Sequence, residues 1–160
     1  FPEKNIFALE TDDRANTAVL RLSRDSSALK RLLSFDFDRK YYPPSSSWRR
    51  RARYLIDLKG MPAAVERWPF GSTGPFLLTW ALKKSGEFEG AMAKSSFYPV
   101  SYHDCAKLVE PGALSFADFG RETFGVHLWA NALRRVIAVR YENKVPADSF
   151  LGSAMKGFDA

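Results

Sequence analysis

Pro43-Pro44 followed by Ser45-Ser46-Ser47 does most to limit the fold of this 160-residue chain. Two successive prolines remove two backbone donors and fix two φ angles, so neither a helix nor a central strand runs through them. Regular structure has to be assembled on either side. Before the prolines, Ile6–Leu9 and Thr17–Leu22 read as short strands separated by a polar loop from Glu10 to Asn16. Ser26 or Ser27 then caps a helix carrying Ala28, Leu29, Leu32 and Leu33 at helical spacing. After them, Trp48–Leu58 returns to a helical period with Arg49, Arg50, Arg51 and Arg53 on it.

The strongest helix signal follows Gly71-Ser72-Thr73-Gly74-Pro75. Pro75 suits a first helical turn, Phe76–Lys84 fills the helix, and Gly86 marks its exit. Ser96–Val100 reads as a short strand or edge, Glu110-Pro111-Gly112 as a turn, and Gly125–Trp129 as a last buried strand. Short strands alternating with helices give an α/β class, and the length suits one domain over 1–160, with the small-residue segment 152–160 read as a frayed tail. The expected architecture is one mixed sheet holding Ile6–Leu9, Val19–Leu22 and Val126–Leu128, with Phe76–Lys84 packed on it.

Composition narrows function only by exclusion. With 46% hydrophobic and 26% charged residues, the chain falls outside disordered and collagen-like classes. A single cysteine, Cys105, excludes an intrachain disulfide and any multi-cysteine zinc site. The formal charge of +6 favours anionic partners without choosing among them. No apolar run approaches the ~20 residues that cross a bilayer. Phe1-Pro2 leads at once into an apolar run, which reads as the cut end of a longer polypeptide whose targeting signal or anchor would lie upstream.

Several residue groups have the chemistry of a site. A glycine-bearing helix start such as Thr73-Gly74 exposes backbone N–H groups to a phosphate or sugar hydroxyl, although an ordinary cap explains it more simply. His127, in an apolar frame, suits a divalent metal or a diphosphate, while a buried histidine bonded to a carbonyl is the commoner arrangement. Asp12-Asp13 and Asp36-Phe37-Asp38 offer carboxylates for Mg²⁺ or Mn²⁺, and the second pair reads better as a solvated helix exit. The Arg49–Arg53 cluster with neighbouring Tyr41, Tyr42, Trp48 and Tyr54 could contact nucleic acid, but a solvated helix face accounts for most of it.

Taken in order, five pieces resemble one family. Phe7-Ala8-Leu9-Glu10, Asn16-Thr17-Ala18-Val19-Leu20, Ser72-Thr73-Gly74-Pro75-Phe76-Leu77-Leu78-Thr79, Phe97-Tyr98-Pro99-Val100 and Val126-His127-Leu128-Trp129 are similar to the C-terminal half of the α-1,4-glycosyltransferases, DXD-containing enzymes of GT-A fold. The family's own D-x-D precedes the segment matching Asn5–Glu10, so the resemblance implies a GT-A-like mixed sheet flanked by helices, without the N-terminal nucleotide-binding half. It implies transfer of a hexose, with retention, from a nucleotide-sugar donor to a glycan or glycolipid acceptor, as in polysaccharide biosynthesis. Mn²⁺ or Mg²⁺ would assist, with the principal carboxylates outside this chain and His127 as the one metal contact within it. Thr73, Gly74, Asn16, Asp12 and Asp13 would face donor or acceptor, and Trp129 and Tyr98 would stack on sugar. Peripheral membrane contact fits such acceptors; the setting would be cytoplasmic or membrane-peripheral in a bacterium and the Golgi lumen in a eukaryote. The alternative is a non-catalytic basic domain that binds nucleic acid through Arg49–Arg53.

Overall fold

The computed structural model describes residues 4–36 and 38–157; Phe1, Pro2, Phe37 of the Asp36-Phe37-Asp38 motif, and the end of the tail lie outside them. The class is α/β, with five α-helices and a two-stranded antiparallel sheet among the described residues. Where the sequence reads as one domain, the chain divides into two compact units, Phe1–Ala93 and Lys94–Ala160.

In the first unit, β1 (Ile6–Thr11) pairs with β2 (Arg14–Arg21), from Ile6 opposite Arg21 to Thr11 opposite Arg14, with two register shifts. The expected loop from Glu10 to Asn16 shrinks to a two-residue turn at Asp12-Asp13. Polar residues remain in the strands because they satisfy one another: the Glu10 carboxylate takes Arg14 Nη2 at 2.9 Å and Asn16 Nδ2 at 3.0 Å. The other edge of β1 carries a parallel bridge from Ala8 to Met92, whose N–H donates to the Phe7 carbonyl at 2.9 Å.

Helix α1 (Ser27–Leu33) starts where Ser26 Oγ accepts the Leu29 N–H, one of the donors a helix start leaves unpaired. Beyond the prolines come α2 (Trp48–Asp57) and α3 (Pro75–Ser85), the latter closed by Gly86 in the left-handed region at φ 73°. Phe7, Ala15, Ala28, Leu78, Ala81 and Leu82 form the core that joins the hairpin, α1 and α3. A second aromatic group centres on Phe35, whose ring meets Tyr41, Trp68 and Trp80 edge-on at 5.6 to 6.1 Å.

Thr79 couples α3 to β2. Its buried Oγ1 accepts the Ala15 N–H at 3.0 Å and donates to the Pro75 carbonyl at 2.6 Å. Thr79→Val keeps the shape but strands the Ala15 N–H, so urea unfolding should show a loss of about 1–3 kcal/mol. A loss indistinguishable from zero would mean that Ala15 finds another acceptor.

The second unit holds α4 (Ala130–Arg140) and α5 (Phe150–Lys156). Val100, Cys105, Leu108, Val109, Leu133 and Phe150 form its core. Here two expectations are corrected. Val126–Leu128 is not a strand, and among the described residues the sheet consists of β1 and β2. The segment runs beside Ser96-Phe97, with the Gly125 N–H donating to the Ser96 carbonyl at 3.2 Å and the His127 N–H to the Phe97 carbonyl at 3.0 Å. The short 3-10 turn Lys94–Ser96 and Pro99 leave that neighbour too curved to continue a ladder. Residues 152–156, read as part of a frayed tail, belong to α5, where Gly152 is buried and donates its N–H to the Ser149 cap.

Candidate functional site

The expected site residues fall into two groups, one in each unit. In the first unit the start of β2 lies on the first turn of α3. A Cβ built on Gly74, the N-cap of α3, would lie 3.9 Å from Thr17 Oγ1. The neighbouring Asn16 is buried, with Nδ2 committed to Glu10 and Oδ1 accepting the Ala18 N–H at 2.9 Å. Thr17 thus lies beside the Gly74 helix start, while the Asn16 side chain is engaged with Glu10 and Ala18. Asn16 is fixed inside, whereas Gly74 faces an open cleft.

Thr73 is exposed and, with Gly74, Pro75, Trp68 and Phe70, lines that cleft of about 560 Å³. Behind it Ser72 is fully buried, and its Oγ has no hydrogen-bond partner among the described residues. Asp12 and Asp13 sit at the exposed hairpin tip, with Asp13 accepting from Thr11 Oγ1 at 2.9 Å. Asp13 also reaches a small cavity of about 110 Å³ lined by Arg14, Ser45, Arg50 and Phe76. Phe76 takes two cations: the Arg50 guanidinium lies 3.3 Å from its ring centroid and that of Arg14 5.4 Å. Asp36, as expected for a helix exit, pairs with Arg39 at 3.2 Å.

In the second unit the two motifs Phe97–Val100 and Val126–Trp129 lie side by side. Their rings form one cluster: Tyr98 to His127 at 5.4 Å, His127 to Trp129 at 4.4 Å edge-on, and Tyr98 to Trp129 at 6.1 Å. Trp129 Nε1 donates to the Val100 carbonyl at 2.9 Å and thereby ties the second motif to the first. Trp129 also adopts φ 51°, ψ 47° at the N-cap of α4, a conformation rare for a bulky residue. One expectation needs revision. Tyr98 is 0% exposed, so its ring supports His127 and offers no face to a sugar. Trp129 is half-buried and retains part of its surface.

The rings of Tyr98 and Trp129 flank His127, and among the described residues no three His, Cys, Asp or Glu side chains gather as ligands. No helix among them is long and apolar enough to cross a membrane.

Sequence reasoning missed Glu10 as the clamp on Arg14 and Asn16. The i,i+4 spacing of Glu10 and Arg14 was the available signal, visible only once the turn is known to be two residues long. The cation pair on Phe76 left no signal at all, because Arg50 is remote from it in sequence.

Comparison with protein-family models, with curated proteins and with solved structures yields no match to this chain.

Proposed function

We propose that this chain forms the acceptor side and the back of the donor site of a sugar-nucleotide-dependent glycosyltransferase. The reaction would move a hexose from a nucleoside diphosphate to a glycan or lipid-linked acceptor with retention. One observation carries the reading: the resemblance motifs meet in pairs. Phe97–Val100 meets Val126–Trp129 through the His127 N–H and Trp129 Nε1, across nearly thirty residues of sequence. Asn16-Thr17 meets the Gly74 helix start in the other unit.

On this reading β1 and β2 are members of a GT-A-like mixed sheet. The pairing of β1, antiparallel to β2 and parallel at Met92, supports that. Thr73 and Gly74 bind sugar or phosphate at the open helix start, and Asn16 orders β2 behind them. His127, braced by Tyr98 and Trp129, stabilises the negative charge that develops on the departing diphosphate as the anomeric bond breaks.

The test is sugar transfer from a panel of nucleotide sugars by the product of the whole gene. His127→Ala should lower turnover by ~10²-fold with the fold retained. If no nucleotide sugar is bound or consumed, or if His127→Ala leaves turnover unchanged, the reading fails.

A further inference from the structure

We infer that the outer face of α2 docks on a bilayer surface containing anionic lipid. The resemblance implies peripheral membrane contact without a surface for it; the surface assigned here rests on the exposure and charge of α2 and holds whether or not the chain is part of a transferase. At 100° per residue, Trp48, Ala52, Leu55 and Ile56 share one arc of the helix. That arc faces solvent: Trp48 is 73% exposed, Leu55 46% and Ile56 77%, and Met61, just past the helix, is 64% exposed. The inward side is held by Tyr54, which is buried, and by Arg50 on the Phe76 ring. The helix is therefore amphipathic with its apolar side outward.

Cations rim the apolar arc. Arg49 flanks Ile56 and Arg51 flanks Leu55, with Arg53 and Lys59 beyond, all exposed. Asp57, paired with Arg53 at 3.7 Å, is the one carboxylate on the helix. Arg49 also lies 5.5 Å from the Trp48 ring, so the charge and the indole are presented together. A tryptophan, aliphatic side chains and flanking arginines on one helix face are what an interfacial helix needs: apolar groups enter the acyl boundary while guanidinium groups stay among anionic headgroups. Nucleic acid would use the arginines but has no use for exposed Leu55 and Ile56. A second copy would set the same arginines against these, and a protein partner would have to be acidic as well as apolar.

Vesicle co-sedimentation tests this with phosphatidylcholine alone and with added phosphatidylglycerol. The chain should partition onto the anionic vesicles and far less onto the neutral ones, and high salt should weaken it. Arg49→Gln with Arg53→Gln should lower partitioning by about 30-fold. Leu55→Ser with Ile56→Ser should lower it by roughly tenfold or more, and should abolish the lipid-dependent fluorescence change that Trp48→Phe identifies as coming from Trp48. All the replaced side chains are exposed, and unchanged circular dichroism would confirm that the variants fold. Four results would overturn the inference: no partitioning, partitioning that ignores both double variants, a dimer in light scattering that Leu55→Ser/Ile56→Ser dissolves, or tighter binding to single-stranded oligonucleotide that only the arginine variant removes.

Discussion

Gly152→Ala should cost about 3 kcal/mol or more and leave the second unit largely unfolded at moderate temperature. Gly152 is the third residue of α5 and is buried. A Cβ there would fall inside contact distance of the Pro146 carbonyl oxygen, and 3.0 Å from Ala147 Cα. Both obstacles are backbone, so neither can swing aside as a side-chain tip would. Relief requires α5 to move away from 146–147, and this pulls Phe150 from the core and the Gly152 N–H from Ser149 Oγ. Gly90→Ala is the control, because a Cβ there meets nothing within 4 Å; it should stay within ~0.5 kcal/mol of the parent. Equal melting of the Gly152→Ala variant and the parent would show that α5 yields without cost.

The second large effect is expected at Glu87. One of its carboxylate oxygens accepts Asn5 Nδ2 and Ser26 Oγ, each at 2.6 Å, and the other accepts the Ala28 N–H at 2.9 Å. One side chain therefore ties the residue before β1, the N-cap of α1 and the first turn of that helix to the end of α3. Burial pushes this carboxyl up, but hydrogen bonds from Ser26, Ala28, Asn5 and Ser85 outweigh it and hold the group below the usual glutamate value. The sign follows from linkage. A depressed folded value means the stabilisation is complete above the ordinary glutamate pKa of about 4.3 and disappears as pH falls through the folded value. Glu87→Ala should cost about 2–4 kcal/mol at neutral pH, because it strands three donors together. Glu87→Gln should cost less, and its deficit against the parent should shrink on acidification below about pH 4. A deficit that is constant from pH 7 to pH 3 would assign the effect to packing instead.

The helices were largely legible because their signals are local. Ser26 caps α1, and Pro75 and Gly86 bracket α3, as the residue types require. The hairpin was legible in its strands but not in its turn. Glu10, Arg14 and Asn16 read as loop residues until their mutual hydrogen bonds are known, and those bonds exist only once the strands pair. The apolar segment Val126–Leu128 read as a strand because its composition suits any buried extended chain; whether a ladder forms depends on the neighbour, Ser96-Phe97, which periodicity does not reveal. Gly152 was misread for a related reason. Small residues near a chain end resemble a loose tail, yet this glycine is small because backbone passes close to it. Within the candidate site, the composition around His127 made an apolar setting readable. The full burial of Tyr98 was not readable, since an aromatic residue reads alike as platform or prop.

The outer edge of β2 bears on how this protein behaves when concentrated. A bare strand edge is a template for another chain, and Val19 and Leu20 are exposed on this one. Two of its donors are nevertheless already taken, the Ala15 N–H by Thr79 and the Ala18 N–H by Asn16. What stays available is the short stretch from Val19 to Arg21, ending in a charge that repels its own kind. That is too little ladder for a stable intermolecular strand. Asn16 thus shortens the open edge as well as ordering the turn, and Asn16→Val should raise self-association, read as a light-scattering mass that climbs with concentration more steeply than the parent's.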